Sequence, residues 1–163
     1  VRGSGCNSKI APSPFRERGS GGEGKTQTMR VLIVGCGRTG AQVAARLWET
    51  GHQVTVVDIQ PDSFLLLPKA LREQEGATLV GDGTREEALV RAGVENADVF
   101  VAVMSQDSTN ALAGQKAKHL FRVPKVIIRV GEPTAQEVYT HLGLLAISHT
   151  RLLTDLMLKA VQD

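Results

Sequence analysis

From residue 29 onward, short apolar runs alternate with longer mixed segments. The runs are Val31–Val34, Gln53–Asp58, Ala77–Val80, Asp98–Val103, Lys125–Val130 and Leu145–Ile147. They are rich in Val, Ile and Leu, which suits strands buried on both faces of a parallel sheet. The segments between them carry helical spacing. In 38–49, Ala41, Ala44, Ala45 and Trp48 recur at i, i+3, i+4 and i+7, one stripe of a helix that Gly51 would end. Pro61-Asp62-Ser63 opens a short helical piece, and Pro68 interrupts it. Thr84 is expected to cap the next helix, with Glu87 completing a capping box and Gly93 stopping the helix after about Ala92. A helix is predicted over 107–120, and Pro133 opens another that ends near Gly143. Residues 150–163 form a last amphipathic segment with a helix over 150–161. Strands joined by crossovers this long pair in parallel. The pattern therefore predicts one α/β domain over 29–149 with a doubly wound, six-stranded parallel sheet in the order 3-2-1-4-5-6.

Composition changes this picture at one end only. Residues 1–28 hold six Gly, four Ser and two Pro, and five Lys/Arg against two Asp/Glu. Such a segment buries too little apolar surface to offset its ordering entropy, so it reads as a disordered tail. Met29 stands just before the first strand, which makes it the expected natural start and 1–28 an over-extended reading frame or cloning remnant. The rival reading is a flexible basic tail. The remaining residues carry fourteen Lys/Arg and fifteen Asp/Glu, a net charge of −1, and aromatics are only 4% of the chain. Neither a basic surface nor a base-stacking platform is present, so no nucleic-acid partner is expected. No apolar run approaches the length of a membrane span. Cys6 and Cys36 are too few for a disulfide framework, and Cys36 lies inside a glycine-rich loop, which fits a reducing compartment. The four histidines show no metal-ligand spacing.

The chemistry concentrates at the end of the first run. Gly35, Gly37 and Gly40 fall in the spacing G-x-G-x-x-G directly after a predicted strand and at the start of a predicted helix. The first glycine permits the turn, the second lets a pyrophosphate approach the backbone, and the third lets helix and sheet pack closely. Free N–H groups of that helix's first turn would face the phosphates. Asp58 closes the second strand, where a carboxylate accepts from a ribose hydroxyl and repels a 2′-phosphate. NAD(H) or ATP/ADP is therefore the expected cofactor. The loops offer no nucleophile elbow, Walker lysine or paired catalytic carboxylates. With the whole length used by the nucleotide unit, the expected role is binding rather than catalysis. The alternatives are an NAD-dependent oxidoreductase fragment and a free-standing nucleotide sensor.

The set Gly35-Cys36-Gly37-Arg38-Thr39-Gly40, Asp58, Gly81-Asp82-Gly83-Thr84, Leu89 to Gly93 and Ala97-Asp98 resembles the N-terminal domain of TrkA-type potassium-uptake regulators, the RCK or KTN domains. Asp107, Asn110, Ile128-Arg129-Val130 and Leu142-Gly143 continue the likeness across residues 30–150. The resemblance implies a Rossmann-like fold and a cytoplasmic regulatory subunit on the inner face of the membrane, paired with a potassium transporter or channel. It implies that Gly35, Gly37, Thr39 and Gly40 line the phosphates and that Arg38 meets one, across a subunit boundary or within its own chain. Asp58 would hold the ribose, Asp82 and Thr84 would sit beside the adenine, and Ser105 and Asp107 would close the crevice. The alternative readings are that Asp82 caps its own turn and that Asp107 is a plain N-cap. Arg129 reads as an ion-pair partner of an acid such as Glu132, not as a nucleotide contact. Many members carry a second, ligand-sensing domain after the last helix. Leu152, Leu153, Leu156, Met157, Ala160 and Val161 form a wide apolar stripe there. With the sheet already covered by five helices, the likeness implies that this helix crosses to a second copy, giving a homodimer or a higher ring.

Overall fold

The central strand is Arg30–Val34 (β1), whose residues 31–34 are all buried. It pairs in parallel with Gln53–Asp58 (β2) on one side and Val99–Ala102 (β4) on the other. Thr78–Val80 (β3), Lys125–Val130 (β5) and Leu145–Ser148 (β6) complete a six-stranded sheet in the order β3-β2-β1-β4-β5-β6. This is the topology expected from the alternating pattern. The structure is a computed structural model, and it describes residues 27–162. The expectations for residues 1–26, including Cys6, lie outside the described residues.

The helices are Arg38–Glu49 (α1), Lys69–Arg72 (α2), Glu86–Arg91 (α3), Asp107–Gln115 (α4), Pro133–His141 (α5) and His149–Gln162 (α6). A 3-10 turn over Pro61–Leu66 precedes α2, with Pro68 between them, as the two prolines require. Crossovers from β1 move outward in both directions, and right-handed connection then puts the two sets of helices on opposite faces. One cluster joins Ala41 and Ala44 of α1 and Leu71 of α2 to Val31, Ile33, Val56 and Val101. The other joins Leu89 of α3 and Ala111, Ala113 and Ala117 to Leu32, Val34, Phe100 and Ile128.

Asp98, just before β4, accepts from the Arg30 backbone N–H at 2.8 Å and from Nε and Nη2 of its guanidinium at 3.1 and 3.0 Å. These bonds, the side-chain ones foremost, hold the Asp98 carboxyl below the usual carboxylate range. Asp98 thus staples the entry of β4 to the entry of β1.

Three expectations are corrected. Thr84 does not cap α3: Arg85 occupies the N-cap position without a side-chain cap, and the Thr84 hydroxyl instead donates to Asp82 at 2.7 Å. The helix over 107–120 is not uniform. It widens to a π-turn over Lys116–Leu120, where the Phe121 N–H bonds back to the Lys116 carbonyl. Nor do five helices cover the sheet. Helix α5 buries no residue, and Leu145 and Ile147 of the edge strand are 51% and 43% exposed. Ala146, between them, packs in the cluster that holds α4, while the opposite cluster of described residues draws its helical residues from α1, the 3-10 turn and α2. Helix α6 is exposed along its whole length.

Candidate functional site

The loop after β1 is shaped by three different demands on three glycines. Gly35 has φ +102, and a Cβ there would stand 2.9 Å from the Met104 nitrogen. Only glycine turns the chain there without strain. A Cβ on Gly40 would overlap the Gly35 carbonyl oxygen, so the first turn of α1 sits against the loop itself. Gly37 is different: its backbone is extended, and a Cβ would meet nothing within 4 Å. The fold does not need glycine at 37, and the open space above it faces a cavity.

That cavity, of about 560 Å³, opens at the carboxyl ends of β1, β2 and β4, where the strand order reverses. Gly35, Gly37, Asp58, Asp82, Thr84 and Ser105 all line it. Arg38 and Thr39 are exposed on the first turn of α1 outside the lining, Gly40 is buried beneath the loop, and Asp107 lies outside it.

Asp58 closes the glycine loop. Its Oδ2 accepts from the Cys36 N–H at 2.7 Å, and its Oδ1 from the Gln60 N–H at 2.8 Å. A carboxylate has about four lone-pair sites, so two remain for hydroxyl donors. On the neighbouring strand end, after β3, Asp82 Oδ1 accepts from the Thr84 N–H at 2.9 Å and from its hydroxyl. These bonds lower the Asp82 pKa, with lesser help from Arg85. The turn-capping reading of Asp82 is thus seen in the structure. Cys36 is buried, and burial, aided by the nearby Asp58 charge, pushes its thiol up to about 11. It stays a protonated thiol at neutral pH and is a poor nucleophile.

Asp107 is not an N-cap either, since Gln106 holds that position. Its carboxylate accepts from the Gly131 N–H at 2.8 Å and more weakly from Glu132, so it clasps the β5–α5 turn. Sequence reasoning gave Asn110 no role, yet it is fully buried and holds the crevice in shape. It accepts from the Met104 N–H and donates to the carbonyls of Met104 and Arg129 at 2.9 and 3.0 Å. The usable signal was an amide set among alanines on the buried side of α4. The expected Arg129–Glu132 pair is absent among the described ion pairs. Arg129 instead lines the cavity.

The TrkA-N domain profile matches residues 31–150. The chain belongs to the TrkA-N domain family. It is 37% identical over 131 residues to the Trk system potassium uptake protein TrkA of Streptomyces coelicolor, covering 80% of this chain and 57% of that protein. It is 34% identical over 116 residues to a TrkA homolog of Methanothermobacter thermautotrophicus, covering 71% of this chain and 52% of the relative. The chain thus spans about half the length of these curated relatives. The TrkA-N domain of the inner membrane protein ybaL from Escherichia coli has the same fold, with a TM-score of 0.71 at 18% identity over 82% of this chain and 97% of that one. The GsuK channel bound to NAD aligns with a TM-score of 0.68 at 20% identity, over 83% of this chain and 23% of that one. Within this TrkA-N chain, no described helix is long and apolar enough to cross a membrane.

Proposed function

We propose that this TrkA-N chain is the nucleotide-sensing unit of a potassium-uptake system. NAD(H) or ATP/ADP occupies the crevice over Gly37, the domain changes shape, and a membrane potassium transporter or channel subunit responds on the cytoplasmic side. The carrying observation is the glycine loop clamped by Asp58 and left open above Gly37. Relatives named for Trk potassium uptake, and fold neighbours bound to ADP, NAD or AMP, support the reading. In this reading Arg38, exposed on the first turn of α1, meets a phosphate reaching out of the crevice or one held by a second copy. No catalytic step is assigned: the lining acids Asp58 and Asp82 are engaged by backbone donors, and the buried thiol is protonated. Calorimetry with NADH, NAD, ATP and ADP tests the reading, and absence of binding by all four would end it. Sustained cofactor reduction with a substrate panel would favour an oxidoreductase instead.

Asp58→Ala should weaken NADH binding by about 1.5–3 kcal/mol through loss of a charge-assisted acceptor. The wild type should bind NADPH less well than NADH, because a 2′-phosphate would meet the Asp58 carboxylate. Titration of both cofactors checks this, and tighter NADPH binding would refute the ribose role of Asp58.

The same proposal includes a homodimer at least. Leu152, Leu153, Leu156 and Met157 are each more than half exposed on α6, as is Leu145 on the neighbouring edge strand. Covering four such side chains contributes on the order of 6–12 kcal/mol before ordering costs. A second copy of the chain offers the complementary apolar stripe through an isologous contact. Light scattering should show a dimer at tens of micromolar for the wild type and a monomer for Leu156→Asp and Met157→Lys. A monomeric wild type, or a charged variant that stays dimeric, would defeat it.

A further inference from the structure

The turn of residues 81–84, after β3, forms one wall of the crevice. It is braced from within: Asp82 Oδ1 accepts from the Thr84 N–H and hydroxyl, and the Asp82 carbonyl accepts from the Arg85 N–H at 3.0 Å. It also rests on β1. A Cβ on Gly83 would overlap Cγ1 of Val34, so the turn lies directly on the end of the strand that carries the glycine loop. Lys116, where α4 passes into its π-turn, links this wall to the neighbouring helix. Its ammonium donates to the Thr84 carbonyl at 2.9 Å and stands 3.4 Å from the Glu86 carboxylate in the first turn of α3. The cap of α3 is Arg85, whose carbonyl takes the Leu89 N–H at 3.1 Å. The Thr84 carbonyl therefore precedes the helical ladder, and Lys116 satisfies an acceptor that the helix does not use. Helical side chains lean toward the helix N-terminus, which for α4 is the crevice end, so a lysine well down the helix reaches back to the wall.

We propose that Lys116 is a positioning residue of the crevice, holding the wall of residues 81–84 at the distance from the glycine loop that an occupant requires. The proposal rests on reading the crevice as a nucleotide site. Lys116 does not line the cavity and acts only through Thr84. Helix α4 thereby becomes a common frame for the crevice. Asn110 fixes the ends of β4 and β5 through Met104 and Arg129, and Lys116 adds the wall after β3. The Glu86 carboxylate is more than half exposed, so that ion pair by itself contributes little. The bond to a backbone carbonyl is what fixes the turn. Thr84 is half-buried, so water can satisfy its carbonyl once the ammonium is gone. The fold then loses little, but the wall gains freedom that a ligand must remove on binding, and affinity falls with every ligand contact intact.

Calorimetry with NADH, ADP and ATP, amide hydrogen exchange and thermal melting test this on the wild type, Lys116→Met, Lys116→Arg and Glu86→Gln. Methionine keeps an apolar stem and removes the donor. Lys116→Met should bind the nucleotides about fivefold more weakly and melt within about 3 °C of the wild type. Its Thr84 and Arg85 amides should exchange about tenfold faster, with those of residues 35–40 unchanged. Lys116→Arg, which keeps a charged donor, should recover most of the affinity, and Glu86→Gln should stay within about twofold of the wild type. A Met variant that binds within about twofold of the wild type would overturn the proposal, as would unchanged exchange at Thr84 and Arg85. A drop in melting temperature of more than about 6 °C with faster exchange along the whole domain would make Lys116 a general stabiliser and overturn it too. A wild type that binds none of the three nucleotides would instead remove the reading on which the proposal stands, while exchange at Thr84 would still decide whether Lys116 holds the turn.

Discussion

Gly37→Val is expected to leave a folded domain that no longer binds nucleotide. The reasoning separates the three loop glycines by what surrounds them. At 37 the backbone is extended, φ −76 and ψ −169, a conformation valine adopts freely. A Cβ there meets no protein atom within 4 Å. The cost to the fold is therefore confined to the weaker N-cap preference of valine, about 1 kcal/mol. In a domain of this size that moves the melting temperature by roughly 4 °C. The branched side chain, however, fills the space through which a pyrophosphate would approach the loop N–H groups. Affinity should fall by more than about a hundredfold, equivalent to ~2.7 kcal/mol. Thermal melting alongside calorimetry checks both halves. Normal binding by the folded variant would show that phosphate does not sit on this loop.

Gly40→Ala should do the opposite and damage the fold first. The added methyl would overlap the Gly35 carbonyl oxygen and lie 3.0 Å from the Gly35 carbonyl carbon, with Val103 Cγ2 at 3.1 Å. The first obstacle is backbone, and Gly35 cannot retreat because its N–H is bonded to the Val57 carbonyl at 2.8 Å. Overpacking against a backbone that cannot yield costs about 3 kcal/mol. That corresponds to a fall on the order of 10 °C in melting temperature. A variant melting within about 2 °C of the wild type would mean that α1 can slide away from the loop. The pair of substitutions thus distinguishes a glycine kept open for a ligand from one required by helix-on-loop packing, although both belong to one short motif.

The strands, the sheet order and the glycine loop were legible before any coordinates, since each is a local signal. A run such as Val31–Val34 is buried on both faces wherever it sits, and long crossovers leave few parallel orders. Asp58 was legible for the same reason: it ends a strand next to the one that carries the loop. The misreadings concern partner choice. Thr84 carries the local pattern of a capping box, but Asp82, two residues back, takes its hydroxyl. Arg129 has an acid three residues on, yet Glu132 sits at the N-cap of α5 while the Arg129 side chain lines the crevice.

By itself, then, the sequence determined the elements, their parallel pairing and the motif that opens the crevice, because periodicity and turn chemistry act within a few residues. Only the tertiary structure decided which side chains meet at the ends of the strands. The clasp of Asp107 on Gly131 joins residues 24 apart, and the bond of Asn110 to Arg129 joins residues 19 apart. It also decided that, among the described residues, the outward side chains of β6 and the whole of α6 are exposed. Hydrogen-bond partners over such separations depend on which strand ends the sheet brings together, and no local pattern encodes that choice.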